Sequence, residues 1–260
     1  MSEELASGKL VLDFPAEAVA RLRLNNPEKR NPLDHEVLDA LAEALPSLDR
    51  GIDVRCVVIT GTGKAFSAGY DIGSIPAESF ERDAEALVAH PFAAAMDAVS
   101  AHPYPVVAAV NGHCLGGGLQ LTLVCDYRLA SEDALLGLPA VKECLIPSLA
   151  LYRLPRLIGS ARAKELILLG EAISAREAER YGLVNRVVPA ADFPAALDTT
   201  VARFLALPAA SARASKHLTT RAFDMDLDAF RAEMQAHFEV CLASEEHRLA
   251  MAALRNRSRA

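Results

Sequence analysis

The stretch VNGHCLGGGLQL, residues 110–121, decides the fold. An apolar run beginning at Val106 delivers the chain to an Asn-Gly turn at Asn111 and Gly112. Three consecutive glycines, Gly116, Gly117 and Gly118, then open a helical segment ending near Cys125. Glycines at a strand-to-helix junction let a ligand approach the main chain closely. The first N–H groups of a helix have no partner inside it, and the dipole there favours negative charge. The junction is therefore an anion site built of backbone. A second strand-to-turn junction lies upstream in CVVITGTGKAFSAGYDIGS, residues 56–74. Two junctions of this kind can aim two N–H groups at one developing oxyanion.

Outward from these junctions, strand and helix signals alternate through the first half of the chain. Residues 10–14 and 19–24 read as a hairpin-like pair. Asp34 can cap a helix reaching about Leu48, with Val37, Leu38, Leu41 and Leu45 on one face. Residues 56–60 form a short buried strand closed by Gly61 and Gly63. Residues 78–100 are helical by composition, with a break at His90-Pro91. Further strands are expected at 106–110, 127–130, 134–136 and 184–188. After Leu149 the pattern turns helical, with Gly159 ending one helix and 161–169 forming the next. Ser174 with Glu177 makes a capping box. From Phe193 onward everything reads as helix, and Leu227, Phe230, Met234 and Cys241 mark an amphipathic stripe.

Composition narrows the function. The 260 residues are 52% hydrophobic, enough for one large core and a helical extension, and the net charge of −7 argues against a nucleic-acid partner. An acidic protein with an anionic ligand needs local basic groups. Lys29 and Arg30 are candidates, though a solvated loop explains them equally. The five cysteines are scattered, with no CxxC pair and no metal-ligand spacing. That points to no metal and to reduced thiols in a cytoplasmic protein. The N-terminus carries no signal-peptide pattern, and no apolar run reaches membrane length, so no membrane partner is expected.

AFSAGYDI and VNGHCLGGGLQL, in this order and spacing, resemble the enoyl-CoA hydratase/isomerase (crotonase) superfamily. The resemblance covers most of the chain. It begins with NNPEKRNPLDHEVLDAL (25–41), runs through CDYRLASEDALLGLPAV (125–141), and continues in RLPRLIGSARAKELILLGEAISAREAERYGLVNRVVP (153–189). It implies an α/β fold, a crotonase-like spiral of ββα units with a helical C-terminal region. Residues 1–190 would form the acyl-CoA-binding core, and 191–260 the part that packs subunits into a homotrimer or a dimer of trimers. The implied ligand is an acyl-CoA or acyl-carrier thioester, with CoA arriving as part of the substrate and no separate cofactor.

Carried over position by position, the oxyanion donors are the backbone N–H groups of Tyr70 and Gly117. Ala68, Tyr70, Asp71, Ile72 and Gly73 would line the CoA-binding turn, with Gly116, His113 and Ala140 also near the ligand. The Tyr70 ring would close over CoA, narrow the acyl pocket, or simply pack at the surface. The departures matter more. Typical hydratases of the superfamily carry two glutamates, where this chain has Gln120 and Ala140. Hydration needs an acid and a base, each worth about 10²–10⁴-fold. An amide can orient water but cannot accept its proton near neutral pH. Glu143 follows Ala140 by three residues and is a stand-in carboxylate, or a solvated glutamate beside Lys142. Ser148 sits where some relatives carry a working side chain, though a turn serine serves as well.

The resemblance thus implies an enzyme that stabilises a thioester enolate, hydratase-like but without the usual acids. The alternatives are an acyl-thioester decarboxylase, an isomerase or thioester hydrolase using Glu143, and a non-catalytic acyl-CoA binder. The glycine run lacks G-x-G-x-x-G and GK[ST] spacing, which weakens a nucleotide-phosphate reading.

Overall fold

The structure, a computed structural model, describes residues 2–48, 53–71 and 90–257. The strands are β1 (Ser2–Leu5), β2 (Leu10–Ala16), β3 (Val19–Leu24), β4 (Pro32–Leu33), β5 (Cys56–Gly61), β6 (Ala65–Ser67), β7 (Gly69–Tyr70), β8 (Val106–Val110), β9 (His113–Leu115), β10 (Tyr127–Ser131), β11 (Leu135–Gly137), β12 (Ala172–Ser174) and β13 (Arg186–Val188). The helices are α1 (His35–Leu48), α2 (His90–Ala101), α3 (Gly117–Leu123), α4 (Ser148–Leu169), α5 (Ala175–Tyr181), α6 (Phe193–Leu205), α7 (Ala209–Arg221), α8 (Leu227–Ala243) and α9 (Glu245–Arg257).

Seven strands form one sheet in the order β1-β2-β3-β5-β8-β10-β13, and four form a second in the order β12-β11-β9-β6. The hairpin strands β1, β2 and β3 pair antiparallel, and β3 through β13 pair parallel. Three long strands, β5, β8 and β10, are each followed by a short one, β6, β9 and β11, that crosses to the second sheet. This repeated step is the spiral of ββα units that the sequence implied. The parallel strands read as unbroken apolar runs because both faces are covered; every residue of β8 is buried.

The expected helix after Asp34 is present. Asp34 Oδ1 accepts from the Val37 N–H at 3.0 Å, and Val37, Leu38, Leu41, Leu45 and Leu48 are buried. At about 25 cal/mol per Å², each buried leucine contributes roughly 1.5–3 kcal/mol. Of the helix expected at 78–100, α2 covers the described part, and residues 78–89 lie outside the described residues. Gly159 (φ 78°, ψ 157°) interrupts α4 at the expected break. Ser174 Oγ caps α5 by accepting from the Glu177 N–H at 3.2 Å. The late strand is shorter than its apolar run. Asn185 turns back on Arg128 with two hydrogen bonds before β13 begins.

Two polar ties fix the elements behind the site. Arg128 is 5% exposed, and its guanidinium donates to the carbonyls of Thr122, Cys125 and Leu183. It thereby satisfies the C-terminal end of α3, where a cation is favoured. Lys216 on α7 pairs with Asp126 at 2.7 Å and donates to the Tyr104 carbonyl, anchoring the C-terminal helices to the entry of β8. All five cysteines are free thiols. Burial pushes the Cys56 and Cys125 thiols up to about 12. Among the described residues no helix is long and apolar enough to cross a membrane.

The C-terminal region is helical, as expected, and the stripe on α8 is only partly covered by the described residues: α8 packs against α7, and Phe230 and Cys241 are half-buried. No residue of α8 is buried, and Leu227, Met234, Phe238, Val240 and Leu242 are exposed. A polar tie joins α9 to α7. The Glu246 carboxylate accepts from the N–H groups of Ala209 and Ala210 at 2.8 and 3.0 Å, capping α7 from a neighbouring helix. Those bonds hold its carboxyl below the usual carboxylate range. A lowered folded-state value stabilises above the unfolded pKa and is lost as pH falls. Glu246→Ala should therefore cost about 1 kcal/mol, the ordinary worth of a cap. Faster amide exchange at Ala209 and Ala210 is the measurement; unchanged exchange there would assign the cap no role.

Candidate functional site

The site forms where the turn after β6 meets the glycine run. Asn31, buried in the loop before β4, organises the first wall. Its amide donates to the carbonyls of Thr62, Ala65 and Phe66, and its side-chain oxygen accepts from the Asn26 N–H. Ser67 Oγ donates to the Asn31 carbonyl and accepts from the Gly69 N–H. Ala68 N–H donates to the Arg30 carbonyl, and Asp71 N–H to that of Leu33. These bonds lay β7 parallel to β4 and fix the backbone on both sides of Tyr70.

Gly69 and Gly117 are glycines because the two turns nearly touch. Gly69 has φ +102°, and a Cβ there would lie 2.7 Å from the Leu115 carbonyl oxygen and 2.9 Å from the Gly117 nitrogen. A Cβ on Gly117 would lie 2.9 Å from the Tyr70 nitrogen and 3.2 Å from the Phe92 ring. The backbone nitrogens of Tyr70 and Gly117 are thus neighbours, one at the end of β7 and the other at the first position of α3. As the first helical residue, Gly117 has an N–H with no intrahelical acceptor.

Both residues border a cavity of about 330 Å³. Ala68, Tyr70, Gly116, Gly117, Gln120, Ala140, Glu143 and Ser148, all singled out from sequence, line it together with Phe92, Leu145 and the prolines 139 and 147. Gln120 is buried, and its Oε1 accepts from Ser148 Oγ and from the Ala150 N–H, both at 3.2 Å. Because Ala150 can only donate, the amide oxygen faces α4. The NH₂ group is left without a hydrogen-bond partner among the described residues. Ser148 spends its proton on that oxygen, so no base activates its hydroxyl.

Glu143 ends a 3-10 helix, Pro139–Glu143. Side chains three apart eclipse in such a helix, which is why Ala140 and Glu143 reach the same cavity. Glu143 is exposed and forms no ion pair with Lys142. Its near neighbour Ile146 gives it little cover, being itself 69% exposed.

Other candidates sit elsewhere. Lys29 and Arg30 are exposed side chains at the 3-10 turn Pro27–Lys29 and do not line the cavity, although the Arg30 backbone adjoins Ala68. His113 is half-buried on β9, its N–H donating to the Lys64 carbonyl, away from the cavity wall. Asp71 is likewise not part of that wall. Ile72 and Gly73 lie outside the described residues.

Two residues of the site had no sequence signal. Phe92, at the start of α2, packs edge-on to the Tyr70 ring with centroids 6.2 Å apart and planes at 79°. The Tyr70 hydroxyl hydrogen-bonds to His35 Nε2 at 2.7 Å. Burial, and then the Asp71 charge, push the Tyr70 phenol up, so it stays protonated near neutral pH.

Comparison with known proteins gives the family and the fold. The family model described as enoyl-CoA hydratase/isomerase matches residues 15–258. A probable enoyl-CoA hydratase of Mycobacterium tuberculosis is 36% identical over 236 residues, 90% of each chain. A crotonyl-CoA hydratase of Syntrophomonas wolfei is 32% identical over 250 residues, 94% of each. Among solved structures, an enoyl-CoA hydratase of Mycobacterium smegmatis superposes with a TM-score of 0.88 at 30% identity, covering 96% of both chains. That of Bacillus anthracis superposes with a TM-score of 0.86 at 31% identity, with the same coverage.

Proposed function

This chain belongs to the enoyl-CoA hydratase/isomerase family, and we propose that it binds an acyl-CoA or acyl-carrier thioester with the carbonyl oxygen between the N–H groups of Tyr70 and Gly117. The observation that carries this reading is the approach of the two turns, with the Tyr70 nitrogen 2.9 Å from where a Gly117 Cβ would stand. A thioester whose α-carbon loses a proton or a carboxylate passes through an enolate. Two preorganised amides stabilise that oxygen as charge develops, each worth about 3–4 kcal/mol.

Within that chemistry, decarboxylation of a malonyl- or glutaconyl-type thioester suits the pocket better than hydration. In a malonyl-type substrate the bond from the α-carbon to the carboxylate breaks; in a glutaconyl-type one the bond from the γ-carbon breaks and its electron pair is conjugated through the double bond; in both, that pair forms the enolate and carbon dioxide leaves. No base is needed for that step. Gln120 offers the acyl group a neutral NH₂ donor, and Ala140 offers nothing polar. A proton must then reach the α-carbon, and Glu143 is the carboxylate of the cavity wall placed to bring it. We read the uncovered apolar side chains of α8 as contacts between copies in a trimer or a dimer of trimers.

The test begins with calorimetric titration of the native protein with acyl-CoAs. Absence of binding would remove the reading. Glu143→Gln should then slow the appearance of product deuterated at the α-carbon in heavy water by about 10²-fold or more, with ligand affinity nearly unchanged. Unaltered incorporation would eliminate Glu143 as the proton carrier.

A further inference from the structure

Gln120 is held from one side and uncommitted on the other. It lies on α3 one turn after Gly117, and both border the same cavity. Residues three apart share a face of a helix, and helical side chains lean back over the preceding turn. The Gln120 amide is therefore carried toward the Gly117 end of α3. The residue is 7% exposed. Its Oε1 accepts from Ser148 Oγ and from the Ala150 N–H, both at 3.2 Å. A backbone N–H cannot accept, so the amide has a single orientation, with oxygen on α4 and nitrogen turned away from it. That nitrogen carries two N–H donors, and nothing among the described residues accepts from either.

No other side chain of the wall competes as a donor. Ser148 gives its proton to Gln120, and the Tyr70 hydroxyl is bonded to His35 Nε2. The remaining side chains that line the cavity are apolar, apart from the Glu143 carboxylate, which when ionised only accepts. A nearly buried donor without an acceptor is costly, and a ligand that brings an oxygen to it removes that cost. The place of the oxygen follows from the helix. Gly117 and Gln120 are three residues apart, about 4.5 Å along the axis at 1.5 Å per residue. With the thioester oxygen on the Gly117 N–H, an oxygen on the β-carbon of the acyl group is set off on that scale.

We infer that Gln120 selects acyl thioesters with an acceptor oxygen on the β-carbon, the feature that 3-oxoacyl and malonyl-type groups share, over plain saturated acyl groups. Ser148 is a positioning residue here: it acts on the ligand by locking the orientation of the Gln120 amide. The inference rests on the thioester reading above, and the chemical class of the acyl group is what it adds.

The experiment is calorimetric titration with acetoacetyl-CoA and butanoyl-CoA, which have the same four acyl carbons and differ by one β-oxygen. The native chain should bind acetoacetyl-CoA at least about tenfold more tightly, since a site built to bond an oxygen rejects the analogue without it. The ratio is read within each variant, so a general loss of affinity cancels. Gln120→Leu and Gln120→Glu both remove the NH₂ donor and should bring the ratio close to one. Gln120→Glu keeps the size of the side chain and both bonds from α4, so it serves where the leucine variant fails to fold. Ser148→Ala should lower the ratio severalfold, and Ser148→Thr, which keeps the hydroxyl, should restore it. A native ratio near one would leave the NH₂ group to water and overturn the inference. A native preference that survives in Gln120→Glu would belong to other donors and overturn it equally. An unchanged ratio in Ser148→Ala overturns the positioning role. Failure of the native chain to bind either ligand overturns the thioester reading as well, and so is told apart from the other outcomes.

Discussion

Crotonyl-CoA hydration by this chain should run at least about 10²-fold slower than in a relative that carries both glutamates. The expectation comes from Gln120 and Ala140, and the structure sharpens it. A glutamine that accepts two hydrogen bonds through Oε1 turns its NH₂, a donor, toward the open side. Such a group can hold a water molecule by its oxygen but cannot take its proton. Gln120→Glu is well suited to the test because its surroundings are already those of a carboxylate. Ser148 Oγ and the Ala150 N–H would continue to donate to one oxygen, leaving the other for water. Combined with Ala140→Glu, on the wall it shares with Glu143, it should raise hydration by about 10-fold or more. Steady-state turnover of crotonyl-CoA measures both. A native rate matching ordinary hydratases would point to a base elsewhere and remove the argument from the missing acids.

How much of this could be read from the chain depends on how local the cause is. The glycine run, the strand leading into it and the Asp34 and Ser174 caps are decided by neighbours within a few residues, and each stands where the sequence places it. The short strands β4, β6, β7, β9 and β12 were invisible, because two or three residues cannot display a period of two. β6 and β9 exist because β5 and β8 deliver them to a second sheet, where β12 pairs with β11, while β4 and β7 pair with each other. His35 and Phe92 were missed for the same reason. His35 is 35 residues from Tyr70, and it is the pairing of Leu33 with Tyr70 that brings them together. Nothing local distinguishes it from any polar residue in a first helical turn. The stripe on α8 was legible as a pattern, while how little of it the described residues cover was not.

Acidification should destabilise the protein through one buried side chain. His102 is 4% exposed, and neither ring nitrogen has a hydrogen-bond partner among the described residues. Burial, then the charges of Lys216 and Arg213, lower its pKa from 6.5 to about 4. The unfolded chain therefore binds a proton before the folded chain does. Stability is complete above about pH 6.5 and is lost progressively as pH falls to about 4, by up to about 3 kcal/mol. His102→Phe, which cannot bind a proton and keeps an aromatic ring beside Tyr104, should flatten that limb. Urea unfolding at intervals from pH 7 to pH 4 reads the slope directly. Parallel acid limbs for the native and variant proteins would place the loss in other groups.

The two N–H groups that the structure brings together at Tyr70 and Gly117 belong to the main chain, and every residue except proline has one. Side-chain replacement around the cavity can therefore erase an acid, move a base or change the acyl group accepted while the pair of donors stays in place. What is exposed to loss by mutation is the spacing between the turns, since a single carbon added at Gly69 or Gly117 would wedge them apart. On the proposed reading, the pair of donors is constrained by shape alone and the proton chemistry by side-chain identity.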